Sequence, residues 1–146
     1  MNILSNLSER LKDLICEKEI NASALAEKIG VNPSVVSKYI RAERLPSVQT
    51  LISIADFFNC STDYLLGLSD KLEEVKFKPV QPFSQQFNFL LKNFKITKYR
   101  LEKQTGISGE TLRRWQNGKF LPTVESLVKL AKHFDCSVDF IIGRES

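Results

Sequence analysis

Hydrophobic residues recur every three to four positions along most of the chain, which is the spacing of amphipathic helices. One such apolar face in the first half consists of Val48, Leu51, Ile54, Ala55 and Phe58. Helix-capping residues precede these runs, as at Asn21 and Ser47, and Gly30 is placed to end a helix in the left-handed conformation. No sustained alternation of polar and apolar residues competes with this pattern. It predicts five helices within residues 1–68.

The first of these helices is expected to open on a capping box. Asn6 is followed three residues later by Glu9, and side chains at this spacing satisfy each other's backbone amides. Leu7, Leu11 and Leu14 then follow at helical spacing. The pattern therefore predicts that the first helix starts at Asn6.

The second half of the chain repeats the first at a constant offset of 76 residues. Gly30, for example, corresponds to Gly106. Further matches are Leu25 with Leu101, Ala55 with Ala131, Phe58 with Phe134, Asp63 with Asp139 and Gly67 with Gly143. The matches fall at predicted core, turn and cap positions, whereas the predicted exposed positions differ. Such an internal repeat predicts two tandem all-α domains, residues 1–68 and 83–146, joined by a linker.

Charge is distributed unevenly between the two halves. The net charge is +4, but residues 1–70 hold seven Lys and Arg against nine Asp and Glu, and residues 71–146 hold fourteen against eight. The first half therefore carries −2 and the second +6. A polyanionic partner is indicated, and the second half should supply most of the attraction.

The sequence lacks the residues that several classes of protein require. His133 is the only histidine, and Cys16, Cys60 and Cys136 form no CxxC pair, so zinc sites and His-dependent catalysis have almost no ligands or bases. No phosphate-binding glycine loop occurs, no apolar run is long enough to cross a bilayer, and the start of the chain lacks the pattern of a signal peptide. We expect a cytoplasmic protein that is not an enzyme and uses no metal, cofactor or small-molecule ligand.

Two short segments combine an apolar and a polar helical face. Residues 105–119 read TGISGETLRRWQNGK, which predicts a tight turn at Gly106, a cap at Ser108 and then a short helix. Leu112 and Trp115 form the apolar side of that helix. The polar side carries Glu110, Arg113, Arg114 and Asn117. The matching segment, residues 30–44, reads GVNPSVVSKYIRAER and has a smaller, more neutral polar side. Such polar sides hold the residue types that contact base edges and phosphates.

Both repeats resemble the lambda-repressor-like, or Xre-type, helix-turn-helix family of bacterial and phage repressors. The resemblance is carried by NASALAEKIGVNPSVVSKYIRAERLPSVQTLISIADFFNCSTDYLLG and TKYRLEKQTGISGETLRRWQNGKFLPTVESLVKLAKHFDCSVDFIIG. It implies two tandem five-helix domains of that fold. It also implies a sequence-specific, double-stranded DNA-binding transcriptional regulator, of the phage or mobile-element repressor type, whose third helix in each repeat enters the major groove.

The family pattern assigns roles to individual residues by position. The implied base-reading residues are Gly109, Glu110, Arg113 and Arg114 in the second repeat and Pro33, Ser34, Ser37 and Lys38 in the first. The implied phosphate-contacting residues are Lys98, Asn117 and Lys119 in the second repeat and Arg41 and Arg44 in the first. Because Arg pairs bidentately with guanine, Arg113 or Arg114 is the best candidate for a specific base contact.

The chain departs from the family pattern at a few positions. Ala22 stands where the family often has a phosphate-binding Gln, and Ala42 stands where Gly usually follows the reading helix. In the second repeat, Glu102 replaces the small residue found at Ala26 in the first. We expect this long side chain to turn outward or the helix pair to splay slightly.

Two arrangements of the repeats remain open. In one, both repeats bind DNA, since the 14 residues of the linker, 69–82, span at most about 45 to 50 Å when extended and adjacent major-groove half-sites lie roughly 34 Å apart. In the other, the first repeat is a dimerisation or protein-interaction module, as in an antitoxin-like protein or an adaptor, and only the second repeat binds DNA. The first arrangement is the main prediction, and the acidic first half with its neutral reading face is the observation that keeps the second one open.

Overall fold

The computed structural model describes residues 2–72 and 77–145. Within them the chain is all-α, with ten helices and no strand. It divides into two compact units, residues 1–75 (unit 1) and 76–146 (unit 2). The predicted fold class, two tandem five-helix domains, is therefore confirmed. The domain limits at 68 and 83 stay a prediction, and residues 73–76 of the predicted linker lie outside the described residues.

Each unit contains five helices in the same order. Those of unit 1 are α1 Ile3–Glu17, α2 Ala22–Ile29, α3 Pro33–Ile40, α4 Val48–Phe58 and α5 Thr62–Leu65. Those of unit 2 are α6 Phe83–Asn93, α7 Lys98–Thr105, α8 Gly109–Gln116, α9 Val124–Phe134 and α10 Val138–Ile142. Helices α2, α3 and α4 coincide with α7, α8 and α9 at the offset of 76 residues. The repeat in sequence is thus a repeat in structure.

The first helices of the two units start differently. Helix α1 begins at Ile3, because the Asn2 side chain accepts a hydrogen bond from the Ser5 amide at 2.8 Å. The predicted capping box at Asn6 is therefore wrong, and the Asn6 side chain instead donates to the Leu66 carbonyl at 3.1 Å. Helix α6 begins only after Pro82, since proline within a helix removes a backbone hydrogen bond and clashes with the preceding turn.

The two cores use different side chains at equivalent positions. Unit 2 buries Phe83, Phe87 and Trp115, with the indole edge-on to both phenyl rings at centroid distances of 6.0 and 5.6 Å. In unit 1 the positions of the two phenylalanines are taken by leucines, and Tyr39 stands where unit 2 has the tryptophan. Burying each such side chain contributes roughly 1.5 to 3 kcal/mol. One scaffold thus accepts aliphatic side chains at two core positions in one unit and aromatic ones in the other.

The C-terminal end of unit 2 is held by a buried ion pair. The Arg144 guanidinium lies 2.6 Å from the Asp139 carboxylate, and both side chains are 1% exposed. Phe77 stacks on the same guanidinium, 4.0 Å from its ring centroid, and the Lys78 amide donates to the Arg144 carbonyl at 2.9 Å. Residues 77 and 78, within the predicted linker, therefore pack against the C-terminal end of unit 2. In unit 1 the equivalent of Arg144 is Leu68, which is 38% exposed.

Candidate nucleic-acid interface

A left-handed glycine joins the two central helices of unit 2. Helix α7 ends at Gly106, whose φ is +77°, and the Gly106 amide donates to the Glu102 carbonyl at 2.8 Å. Helix α8 then opens at Ser108, whose hydroxyl accepts from the Thr111 amide at 3.1 Å. The predicted glycine turn and serine cap are both confirmed. A side chain at position 106 would be strained by this φ, although nothing lies within 4 Å of its Cβ position.

Helix α8 buries one face and exposes the other. Leu112 and Trp115 are buried, at 0% and 2% exposure, so the indole packs in the core, as predicted, and is not available to stack on bases. Glu110, Arg113 and Arg114 are exposed. The helix therefore presents a charged surface whose position is set by the packing of its apolar face.

The two arginines of this surface have different surroundings. Arg114 lies 2.8 Å from the Glu110 carboxylate one turn earlier, and its guanidinium lies 5.0 Å from the centroid of the Phe120 ring. No such ion pair holds Arg113 among the described residues. Since a paired guanidinium must break or share its contacts before it contacts a base, Arg113 is the more available of the two candidate base readers.

A chain of polar side chains connects α7, α8 and α6. The Lys98 ammonium, at the start of α7, donates to the Gln116 side-chain carbonyl, and the Gln116 amide donates to Asn88 at 2.8 Å. Lys98, a predicted phosphate contact, is thus half-buried and already hydrogen-bonded. Gln116 and Asn88 were not foreseen as part of the site, because partners 18 and 28 residues apart leave no local signal in a sequence.

The segment after α8 is turned by a second left-handed glycine. Gly118 has a φ of +79°, and the Asn117 side chain accepts from the Lys119 amide at 3.0 Å. Asn117 and Lys119 are exposed, on the segment that follows the candidate reading helix. Phe120, which comes next, is 56% exposed and was not foreseen as part of this surface.

The Glu102 side chain does not turn outward, so the first of the two expected alternatives is wrong. Its carboxylate accepts a hydrogen bond from the Gly109 amide at 2.8 Å, which is the first residue of α8. Gly109 supplies the room, because a Cβ at that position would lie only 3.0 Å from the carboxylate. A large residue on α7 is thus accommodated by the absence of a side chain on α8.

The equivalent helix of unit 1 begins in another way. Helix α3 starts at Pro33, and the preceding Asn32 stands at the N-cap position without a side-chain capping bond. Ser34 and Lys38 are exposed, and Ser37 is half-buried. The predicted reading face of unit 1 is therefore present on the surface, with Lys38 as its one charged member.

The basic residues after α3 are partly neutralised. Arg41 lies 2.9 Å from the Glu43 carboxylate, with 59% and 52% of the two side chains exposed. Burial raises the pKa of the Tyr39 hydroxyl above its ordinary value, and the charge of nearby Arg44 opposes this rise. Residues 97–121 hold six Lys and Arg against two Glu, whereas residues 21–45 hold four against two. The candidate interface of unit 2 is the more positive.

Other kinds of site find little support in the described ranges, 2–72 and 77–145. No group of three or more His, Cys, Asp or Glu side chains there is placed to hold a metal ion. No helix in the same ranges has the length and apolar character required to cross a membrane.

Comparison with known protein families gives one match in each unit. A family model described as helix-turn-helix matches residues 11–65. A second, described as a Cro/C1-type HTH DNA-binding domain, matches residues 88–145. Each match includes the central helix pair of its unit, α2 with α3 and α7 with α8.

Curated relatives come from Bacillus subtilis (strain 168). The chain is 29% identical over 90 residues to the uncharacterized HTH-type transcriptional regulator YobD, which covers 61% of this chain and 80% of the relative. It is 36% identical over 62 residues to the HTH-type transcriptional regulator ImmR, which covers 42% of this chain and 49% of the relative. The chain therefore spans about half the length of ImmR. No solved structure gives a significant match.

Proposed function

Because the chain belongs to the Xre-type, or Cro/C1-type, helix-turn-helix family of DNA-binding transcriptional regulators, which are not enzymes, we propose a specific role for each unit. The protein is a sequence-specific regulator of the phage or mobile-element repressor type. Helices α8 and α3 enter the major groove of double-stranded DNA, and unit 2 supplies most of the affinity. This proposal is supported above all by the exposed arginines of α8, a helix that follows the left-handed Gly106 and is capped by Ser108.

Base reading in unit 2 is centred on Arg113. Its guanidinium is exposed without the ion pair that holds Arg114 to Glu110, so it is available for bidentate contact with guanine O6 and N7. Glu110 has two roles, as an acceptor for a cytosine amine and as the residue that orients Arg114 along the helix. Gly109, without a side chain, allows a base edge to approach the start of α8.

Phosphate contacts in unit 2 come from the residues that flank this helix. Lys119 and Asn117 follow α8 in an ordered turn, which places an ammonium and an amide beside the helix end. Lys98 contributes from the start of α7, where its ammonium is already directed by Gln116. Such contacts position the protein and carry little sequence information.

Unit 1 reads a second half-site with Pro33, Ser34, Ser37 and Lys38, and Arg41 and Arg44 contact its phosphates. The four reading side chains differ from those of unit 2, so the two half-sites differ in sequence and do not form a palindrome. Linking two readers in one chain raises the affinity through effective concentration. It also replaces the dimer that a protein with one such domain needs.

A second candidate function is supported by one contact in unit 1. Glu43 neutralises Arg41 at a place where a DNA-binding surface needs positive charge. In this alternative, unit 1 pairs with a second copy or another protein, as in an antitoxin-like or adaptor protein, and only unit 2 binds DNA.

Selection of binding sites from random DNA by the full-length chain tests both candidates. Two half-sites of different sequence, about one helical turn apart, support tandem reading, whereas a single short site or two identical half-sites support the interaction module. The absence of any enriched sequence contradicts both.

Two substitutions then test the division between base and phosphate contacts. Arg113→Ala should cost roughly 1 to 3 kcal/mol of specific binding and relax the preference at one base pair. Lys119→Ala should weaken all sequences alike and lower the salt slope by about one. Lys132→Ala, at the end of α9, is the charge-matched control. Identical behaviour of the first two variants would mean that the assigned roles are wrong.

A further inference from the structure

The first turn of the reading helix is completed differently in the two units. The amide of the first helical residue has no intrahelical acceptor and needs a partner elsewhere. In unit 1 that residue is Pro33, which has no amide hydrogen to satisfy. In unit 2 it is Gly109, whose amide donates to Glu102 across the helix pair. The residue at the position of Glu102 in unit 1 is Ala26, which has no acceptor.

These two positions therefore differ together between the units. In unit 1, Pro33 lacks the amide donor and Ala26 lacks the side-chain acceptor. In unit 2, Gly109 supplies the donor and Glu102 the acceptor. Glu102 and Gly109 are also coupled sterically, because a Cβ at position 109 would lie only 3.0 Å from the Glu102 carboxylate. The glutamate and the glycine act as one element of unit 2.

The contact has an electrostatic consequence for DNA binding. The N-terminus of a helix attracts anions through its unpaired amides and its dipole. At the start of α8 the Glu102 carboxylate already occupies one of these amides, at 2.8 Å, and places a negative charge where a phosphate would bind. The negative charge of Glu102 would repel a DNA phosphate, so it disfavours binding poses in which the N-terminus of α8 faces the DNA backbone.

We propose that Glu102 is a specificity-determining positioning residue of unit 2. It holds the first turn of α8 through the Gly109 amide and excludes phosphate from that helix end, so that the helix end faces bases and not backbone. The inference rests on the proposed function, because it assumes that α8 enters the major groove. Discrimination between specific and non-specific DNA, more than affinity, is the property that Glu102 controls.

Four full-length variants separate the parts of this role. Glu102→Gln keeps an acceptor for the Gly109 amide and removes the charge, and Glu102→Ala removes both. Glu102→Ala combined with Gly109→Pro reproduces the arrangement of unit 1, and the extended backbone of Ser108 (φ −61°, ψ 146°) accepts a following proline. Asp135→Asn is the control for net charge, because Asp135 ends α9 in a left-handed conformation that Asn also adopts.

Affinities for the selected site and for random duplex are measured over a range of salt concentrations. For Glu102→Gln we expect random-duplex affinity to rise about two- to fivefold, with a smaller change at the selected site, so that discrimination falls. For Glu102→Ala, which also frees the Gly109 amide for a phosphate, random-duplex affinity should rise further than for Glu102→Gln. Adding Gly109→Pro removes that amide hydrogen and should return the affinity to the Glu102→Gln level, and Asp135→Asn should leave discrimination unchanged.

Two outcomes overturn different statements. If the wild-type chain discriminates but Glu102→Gln and Glu102→Ala keep the same ratio of specific to random-duplex affinity, Glu102 is only structural and the inference is wrong. A lower melting temperature with parallel weakening on both DNAs is the signature of that case. If the wild-type chain itself shows no preference for any sequence, the proposed function is wrong, and the inference is wrong with it.

Discussion

The segments that follow α3 and α8 share the same backbone conformation but carry opposite charge. Ala42 and Gly118 both take left-handed conformations, with φ of +58° and +79°. The next residue is Glu43 in unit 1, where it pairs with Arg41, and Lys119 in unit 2. A duplicated scaffold has therefore kept its turn geometry while the charge at the same point has reversed. Backbone shape in these units is set by core and turn positions, and the surface is free to diverge.

The ends of the two units differ in a similar way. Unit 2 closes on the buried pair of Arg144 and Asp139, whereas unit 1 has Leu68 at the arginine position and an exposed ion pair, 2.8 Å long, between Arg10 and Asp70. Exposed pairs contribute about 0 to 1 kcal/mol. Removing one partner of a buried pair costs several times more. The C-terminal closure of unit 2 should therefore be the more sensitive to substitution.

The largest predicted effect is that of Arg144→Leu, which gives unit 2 the residue found in unit 1. It leaves the buried Asp139 carboxylate without this guanidinium, so the free energy of unfolding should fall by about 3 to 5 kcal/mol. Trp115 is the single tryptophan, so its fluorescence in urea reports unit 2 alone. Leu121→Ala, at an exposed position of unit 2, is the control. A loss below about 1 kcal/mol would contradict the importance of the pair.

Next in size is the effect of Glu43→Lys, which gives unit 1 the charge found at Lys119. It releases Arg41 and adds a cation, so the salt slope of DNA binding by the full-length chain should increase by about one to two. Fluorescence anisotropy with the selected duplex at several salt concentrations measures the slope. An unchanged slope would favour the alternative in which unit 1 binds protein and not DNA.

A smaller effect is expected from exchanging the left-handed residues. Ala42→Gly relieves a conformation that costs an L-residue roughly 1 to 2 kcal/mol, partly offset by the flexibility of glycine in the unfolded chain. Unit 1 should gain about 0.5 to 1 kcal/mol of unfolding free energy, measured by circular dichroism in urea. Gly118→Ala should destabilise unit 2 by a similar amount. A gain from both substitutions would show that the two turns are not equivalent.

The smallest effect concerns the pH dependence of stability in unit 1, which has the titratable Tyr39 where unit 2 has Trp115. Burial raises the pKa of Tyr39 above 10.0, so the folded state favours the neutral hydroxyl. The resulting stability is fully present below pH 10.0 and falls as the pH rises through the folded-state pKa. Unit 1 should therefore lose stability in alkali more steeply in the wild type than in Tyr39→Phe, measured by circular dichroism in urea at about pH 9 and 11. Equal slopes would contradict this account.

Local features of the chain were predictable because they depend on neighbours a few residues away. The Ser108 cap, the Gly106 turn and the burial of Trp115 follow from capping chemistry, glycine conformation and helical periodicity, and all three are confirmed. The start of α1 was missed. Asn2 and Asn6 have the same capping chemistry, and only the approach of the Leu66 carbonyl shows which of them is used elsewhere.

The sequence by itself determined the all-α class, the duplication and the polar face of α8, because apolar spacing and a constant offset express them directly. Only the tertiary structure decided which partners the long polar side chains contact. Glu102 meets Gly109 seven residues away and Lys98 meets Gln116 eighteen residues away. Such contacts depend on how two packed helices direct their side chains toward each other. The direction of these side chains depends on how the helices pack, so it cannot be predicted from any single residue.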